Sequence, residues 1–348
     1  MSENPFLLAN RGFHRDLEAF VVGARFSRDN ASVAFALGDG TLSIVRLTEA
    51  PTWSSVPVHD GACLALAQDV TRGGFISGGD DGAFRRITAD GSVTEIASFG
   101  TMKWVEHVAS FPGEKAKGAL LACSVGKFAH LFDGEGQKLR DFTHPSSVTG
   151  LAFDAKGKRV GASHYNGATL WFVAAKADSS RKLEWKGSHT AIAIHPEGDA
   201  VVTAMQENAL HGWRLSDGQH MRMSGYPSKS AALSFTHNGR WLASSGADAM
   251  VLWPFFGGGP MGKAPLELGG GDGVICTQVA SHPQHEIIAG GFADGLVVLA
   301  DVGSSRILPV APPEHGPVST VAFSPNGAWL AFGTEKGLTA VVDLSRRD

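Results

Sequence analysis

The stretch GGGPMGKA over residues 257–264 spaces its glycines and its lysine as a phosphate-binding loop would. It satisfies G-x-G-x-x-G and G-x-x-x-x-G-K, although Ala264 stands where magnesium chemistry needs a hydroxyl. That chemistry also requires a helix after the loop, so that its first amides point at phosphate. Ala264, Pro265 and an apolar Leu-Glu-Leu run follow instead, so the segment reads as a glycine-rich connection between strands. Histidine is the next candidate, with 14 in the chain. His282/His285 and His211/His220 have spacings that would bring metal ligands together. Yet His195, His237 and His282 recur at one turn position in three segments, which reads as turn chemistry. Asp80 and Asp81 are adjacent carboxylates in a turn, where aspartate serves local hydrogen bonding. There is no G-x-S-x-G elbow, no H-E-x-x-H and no Cys/His signature. The expectation is no catalytic residue, no metal and no cofactor.

Composition narrows the class. The 348 residues carry 30 Lys+Arg against 34 Asp+Glu, a net charge of −4, which lacks the basic footprint of a general nucleic-acid binder. With 43% hydrophobic residues and so small a net charge, the chain reads as folded rather than disordered. No apolar run approaches the length of a membrane span, and MSENPFLLANRGFHRD lacks the pattern of a secretory leader. Cys63, Cys123 and Cys276 are too few and too scattered for a disulfide framework. A cytoplasmic globular protein is expected, with no nucleic-acid and no membrane partner.

The elements that would position any site are repetitive. Segments such as ARFSRDNASVAFALGDGTLSIVRL, ALSFTHNGRWLASSGADAMVLW and TVAFSPNGAWLAFGTEKGLTAVVDL share one plan: an apolar run, a polar turn, a second run, another turn, a third run. Eight copies anchor at residues 26, 67, 110, 153, 194, 235, 281 and 323, in steps of 41 to 46. The runs are short, rich in Val, Ile, Leu and Phe, and bounded by Gly, Asp, Asn or Pro, which predicts antiparallel strands and hairpin turns. Such a unit cannot bury both faces alone, whereas a radial stack of them can.

The step length and the strings FSPNGAWLAFG and DGTLSIVRL resemble the WD-repeat β-propeller family, over about residues 20 to 344. Ser324–Gly327 and His195–Gly198 match its first turn; Asp39–Gly40, Asp81–Gly82 and Asp294–Gly295 match its second. Trp171, Trp213 and Trp253 match its third-strand tryptophan, and His59, His144 and His315 its loop histidine. The family joins histidine, Ser/Thr, Asp and Trp in a hydrogen-bonded tetrad, which no copy here completes: the second has His59, Ser77 and Asp81 but Ile87, the last His315 and Thr334 but Val342. The resemblance implies one all-β domain over 1–348, a propeller of four-stranded antiparallel blades. Eight blades are expected, closed by residues 1–19 with PFLLAN or DLEAF supplying the missing strand; seven blades are the alternative. The connections 257–273 and 176–182 are expected to be mobile.

The resemblance also implies a non-catalytic scaffold that presents a rigid loop face to a protein or peptide partner. The alternatives are a propeller enzyme with a channel-mouth site and a metal-linked accessory protein using the surplus histidines. Strand direction puts the fourth-to-first and second-to-third loops on one face, the top. There fall Lys103, Trp104, His164, Tyr165, Met205, Gln206, Tyr226 and Phe292, residues offering large contact area at modest ordering cost, and these are the expected partner-binding set.

Overall fold

The structure, a computed structural model, describes residues 4–113, 118–175 and 179–345. Among them the only helix is one turn, Leu7–Arg11; the rest of the regular structure is antiparallel strand. The first repeat shows the unit: Val21–Phe26, Ser32–Leu37, Thr41–Arg46 and Thr52–Pro57 pair in chain order. Its second strand is buried along its whole length while its fourth is mostly exposed. The sequence follows this gradient. SVAFAL packs against neighbours on both faces and is apolar throughout, whereas TWSSVP alternates toward solvent.

Eight apolar clusters lie between successive repeats, and the ring closes where Val21, Phe26 and Phe35 of the first meet Ala322, Ala331 and Val341 of the last. Side-chain hydroxyls clasp the inner strands at several steps. Thr277 Oγ1 donates to the Val318 carbonyl at 2.6 Å, Ser319 Oγ to that of Val21 at 2.6 Å, and Thr149 Oγ1 to that of His189.

The sheet count differs from the eight separate blades expected. Among the described residues there are seven hydrogen-bonded sheets, six of four strands and one of six, the number of the seven-blade alternative. The cause lies in the fourth and fifth repeats. Arg159–Phe172 runs through what is a turn elsewhere, and Ser180–Ile194 joins the last strand of one repeat to the first strand of the next. Pairing of Tyr165 with Ser188 keeps the ladder continuous across this join. Asn166 and Gly167 supply the bend with φ of 65° and 137°. A Cβ at Gly167 would sit 2.0 Å from the Leu183 carbonyl oxygen, so only glycine fits.

The N-terminal segment closes the last sheet: Gly12–Asp16 pairs antiparallel with Leu338–Asp343, with Gly12 opposite Val342 and Asp16 opposite Leu338. This strand lies mostly between the two segments expected to supply it and shares only Asp16 with DLEAF. Most of PFLLAN is the helical turn, whose Leu7 plugs the cluster between the last two repeats. Of the long connections, residues 176–178 lie outside the described residues, Ser180–Lys182 are strand, and 257–273 contains the short strand Leu266–Leu268.

Candidate functional site on the top face

The eight expected partner residues divide by accessibility. Trp104 is 56% and Tyr165 57% exposed, and Lys103 and Gln206 also face solvent. His164, Met205, Tyr226 and Phe292 are buried, so the surface role expected of them is corrected: they are internal groups. His164 has both ring nitrogens engaged, Nδ1 with the Tyr165 carbonyl and Nε2 with Thr169 Oγ1, each at 2.9 Å. Phe292 fills the cluster between the sixth and seventh repeats.

Tyr226 takes the place of the loop histidine. Its hydroxyl lies 2.6 Å from Ser244 Oγ and accepts from Trp253 Nε1 at 2.6 Å, so a buried Tyr–Ser–Trp chain stands in for the family's tetrad. Other repeats keep different fragments of it. His59 bridges Asp81 and Ser77 at 3.0 Å each, and Trp171 Nε1 donates to His144 Nε2 at 2.9 Å. His315 is exposed and faces Glu314 instead of Thr334. Tyr226→Phe strands the Trp253 N–H and should cost about 1–3 kcal/mol. Urea unfolding measures it, and an unchanged midpoint would mean that the chain contributes nothing.

The exposed residues sit on three hollows, and no single cavity gathers them. Lys103 and Trp104 line one of about 580 Å³ with Phe99, Met102, Lys127 and Phe128. Met102 is 90% and Phe128 38% exposed. Tyr165 rims two others, of about 650 Å³ beside His144 and Ser146 and about 330 Å³ beside Trp185 and Met205. Its amide donates to Ser146 Oγ at 2.8 Å, which fixes the corner while the ring stays free. Met102, Lys127 and Phe128 were missed in the sequence. The sequence signal is weak: Gly126-Lys127 makes a short turn, and at the position of Phe128 sister copies carry Ala83 and Ala209 but also Met250 and Leu338, small and large alike.

The other candidate chemistries resolve as structure. Lys263 Nζ donates to the Phe256 carbonyl and, at 3.2 Å, to that of Gly257, so the glycine-rich loop turns carbonyls rather than amides toward its lysine. A phosphate would meet the wrong polarity. His195, Glu197 and Asp199 gather within 4.8 Å. The imidazole is already engaged, with Nε2 2.9 Å from the Gly239 carbonyl and Nδ1 2.8 Å from Asp199. His282 reaches the Gly327 carbonyl in the same way, and each ties its turn to that of the next repeat. His237 does not share this position, which Thr236 fills: its amide bonds Trp241 as that of His195 bonds Ala200. His211 and His220 meet at 2.9 Å beneath Trp185, and burial pushes the pKa of His211 down to about 3.

Comparison with known proteins agrees with this architecture. Residues 309–338 match the family model described as "WD domain, G-beta repeat". Telomerase protein component 1 of Mus musculus is 24% identical over 53% of this chain and 7% of its own length. Protein LST8 homolog of Drosophila melanogaster is 29% identical over 33% of this chain and 36% of its own. The chain thus spans well under two thirds of the relatives it matches. The crystal structure of the computationally designed Ika8 protein superposes with a TM-score of 0.74 at 21% identity, over 95% of this chain and 98% of that one, which speaks for fold alone. Repeat plan, sheet architecture and matched relatives converge on a β-propeller fold, and the chain is similar to WD-repeat proteins in its repeat sequence.

Proposed function

We propose that the protein is a non-catalytic interaction scaffold whose protein or peptide partner docks on the top face at the Trp104 hollow. The observation that carries this reading is the exposed trio Met102, Trp104 and Phe128 beside Lys103 and Lys127. Nothing in the fold gains from leaving three large apolar side chains in water, and aromatic anchors of this kind dominate interface energies. The two lysines favour a partner with an apolar anchor flanked by acidic residues. Tyr165 and Gln206 extend the same face, and WD-repeat proteins generally work through protein interaction. We also infer that the ring operates as eight repeat units, the six-stranded sheet counting as two, in one domain. A reducing, cytoplasmic setting suits its three buried, unpaired thiols.

Quantitative affinity capture from the native cell, with wild-type protein and the double variant W104A/F128A, tests the reading. Recovery of the partner should fall about tenfold or more, since each anchor is worth on the order of 1–2 kcal/mol. W104A alone should leave the melting temperature within a few degrees because Trp104 is 56% exposed, while Phe128, 38% exposed and stacked on His130, carries most of any loss in the double variant. Full recovery with the variant would overturn the assignment of this face.

A further inference from the structure

Beyond the loop face, the central channel holds a group that the fold does not explain. The hollow has a volume of about 500 Å³ and is bounded by the first strands of all eight repeats. Strand register allows its levels to be compared around the ring. At the level of Arg25, alanine stands in six repeats (Ala67, Ala109, Ala152, Ala193, Ala280 and Ala322) and Ser234 in the seventh. Ala67, Ala193, Ala280 and Ala322 pack in the apolar contacts between repeats, and none of the seven small residues at this level lines the hollow, as Arg25 does. Arg25 breaks the pattern with the longest cation available.

Its guanidinium has little to do in the fold. Nη1 donates to the carbonyl of Ala24 at 2.7 Å, and no carboxylate pairs with Arg25 among the described residues. The side chain is open to channel water yet enclosed by protein, and this desolvation lowers its pKa from the usual guanidinium value. A cation in such a place, without a counter-charge, is at a disadvantage that a bound anion would remove. Glu106 is the only carboxylate lining the hollow, and it lies nearer the top, at the level of Val22. His107, one level below it, is held by burial at a pKa of about 4 and is neutral at pH 7.

We propose that the channel binds one small molecule through a single oxyanion, a carboxylate or a phosphate, that pairs with Arg25. The planar guanidinium suits two-point recognition of either group. The volume lies in the range of small-molecule sites. Glu106, facing the same space, disfavours polyanions and selects a ligand whose remainder is neutral or donates hydrogen bonds. Arg25 lies outside the Trp104 hollow, whereas Glu106 lines both it and the channel, so the Arg25 variants separate this proposal from the partner surface.

The test titrates inorganic phosphate and, separately, acetate into the full chain, with ionic strength held constant by chloride. Binding is read by calorimetry and melting temperature. Saturable binding of at least one probe is expected. Arg25→Met should weaken it about tenfold or more, and Glu106→Gln should tighten it about threefold. Phosphate against acetate distinguishes the two oxyanion classes. Arg25→Lys, which keeps the charge and loses the fork, replaces the methionine variant if that one fails to fold, and it too should bind more weakly. If neither probe binds saturably, or neither Arg25 variant weakens binding, or Glu106→Gln fails to tighten it, the proposal is wrong and Arg25 is only a plug.

Discussion

Removal of residues 1–19 should lower the melting temperature by roughly 10 °C or more and promote aggregation. Gly12–Asp16 is the outer strand of the last sheet, and its five pairings with the C-terminal strand are lost together. Phe13 leaves its edge-on contacts with Trp53 and Trp329, at 6.2 and 6.5 Å between ring centroids. Leu7 leaves the cluster between the last two repeats. Burial of Leu7 stabilises by about 2 kcal/mol and the partial burial of Phe13 by about 1 kcal/mol, and the lost strand hydrogen bonds add about 1 kcal/mol apiece. The expected destabilisation is therefore above about 5 kcal/mol. The strand left behind, Leu338–Asp343, is buried along its whole length and would become an open apolar edge. Differential scanning calorimetry of the truncated chain decides the matter. A melting temperature within a degree or two of the full chain would show that the seam holds without this strand.

The second large effect concerns acid. His144 is buried, and burial holds its pKa at about 4 against an ordinary 6.5. Trp171 donates to its Nε2, so protonating that nitrogen also destroys the acceptor. His59, His107, His130, His164, His189, His211 and His282 are depressed too, in each case chiefly by desolvation. The sign follows from proton counting. As pH falls below 6.5 the unfolded chain protonates these imidazoles before the folded one does, for His107 and His144 down to about pH 4, so the unfolded state binds more protons and stability falls as pH falls. The contribution is complete above about pH 7 and is spent once pH drops below the folded values. A shift of this size at His144 corresponds to about 3 kcal/mol. Urea unfolding at pH 7.5, 6, 5 and 4.5 should show a steep loss across that window. His144→Gln retains a donor and an acceptor but cannot titrate, so its slope should be shallower; an identical slope would exclude His144 from the effect.

The repeat plan was legible because it is written locally. Turn residues such as Ser324–Gly327 and the apolar runs between them repeat their chemistry at nearly every step, and strand pairing follows from adjacency. Closure by the N-terminal segment was legible as well, although the strand that performs it is Gly12–Asp16. The join between the fourth and fifth repeats was not, since it depends on backbone angles at Asn166 and Gly167 and on a pairing between Tyr165 and Ser188. The candidate site failed at four of its eight positions, His164, Met205, Tyr226 and Phe292, which the structure buries. Successive side chains on a strand point to opposite sides, so neighbours have opposite fates. His164 is buried and Tyr165 exposed; Met205 is buried and Gln206 exposed. Knowing that a residue lies near the top face does not say which way it points. Tyr226 needed more still, because its inward orientation is set by Ser244 and Trp253, which lie 18 and 27 residues further on.

The continuous strands Arg159–Phe172 and Ser180–Ile194 give the ring an unequal mechanical character. Elsewhere a repeat meets its neighbour through side chains, hydroxyl clasps and isolated backbone bonds, such as Asp29 N–H to the Arg72 carbonyl and Cys276 N–H to the Ala247 carbonyl, without a shared strand. Between the fourth and fifth repeats the backbone ladder itself crosses the boundary, and a ladder resists shear along its hydrogen bonds. One arc of the wheel is therefore a stiff plate, and breathing of the ring is concentrated in the remaining joints. Tyr165 stands on that plate, while Trp104 stands on the softer arc beside it. The two ends of the top face thus differ in compliance as well as in shape.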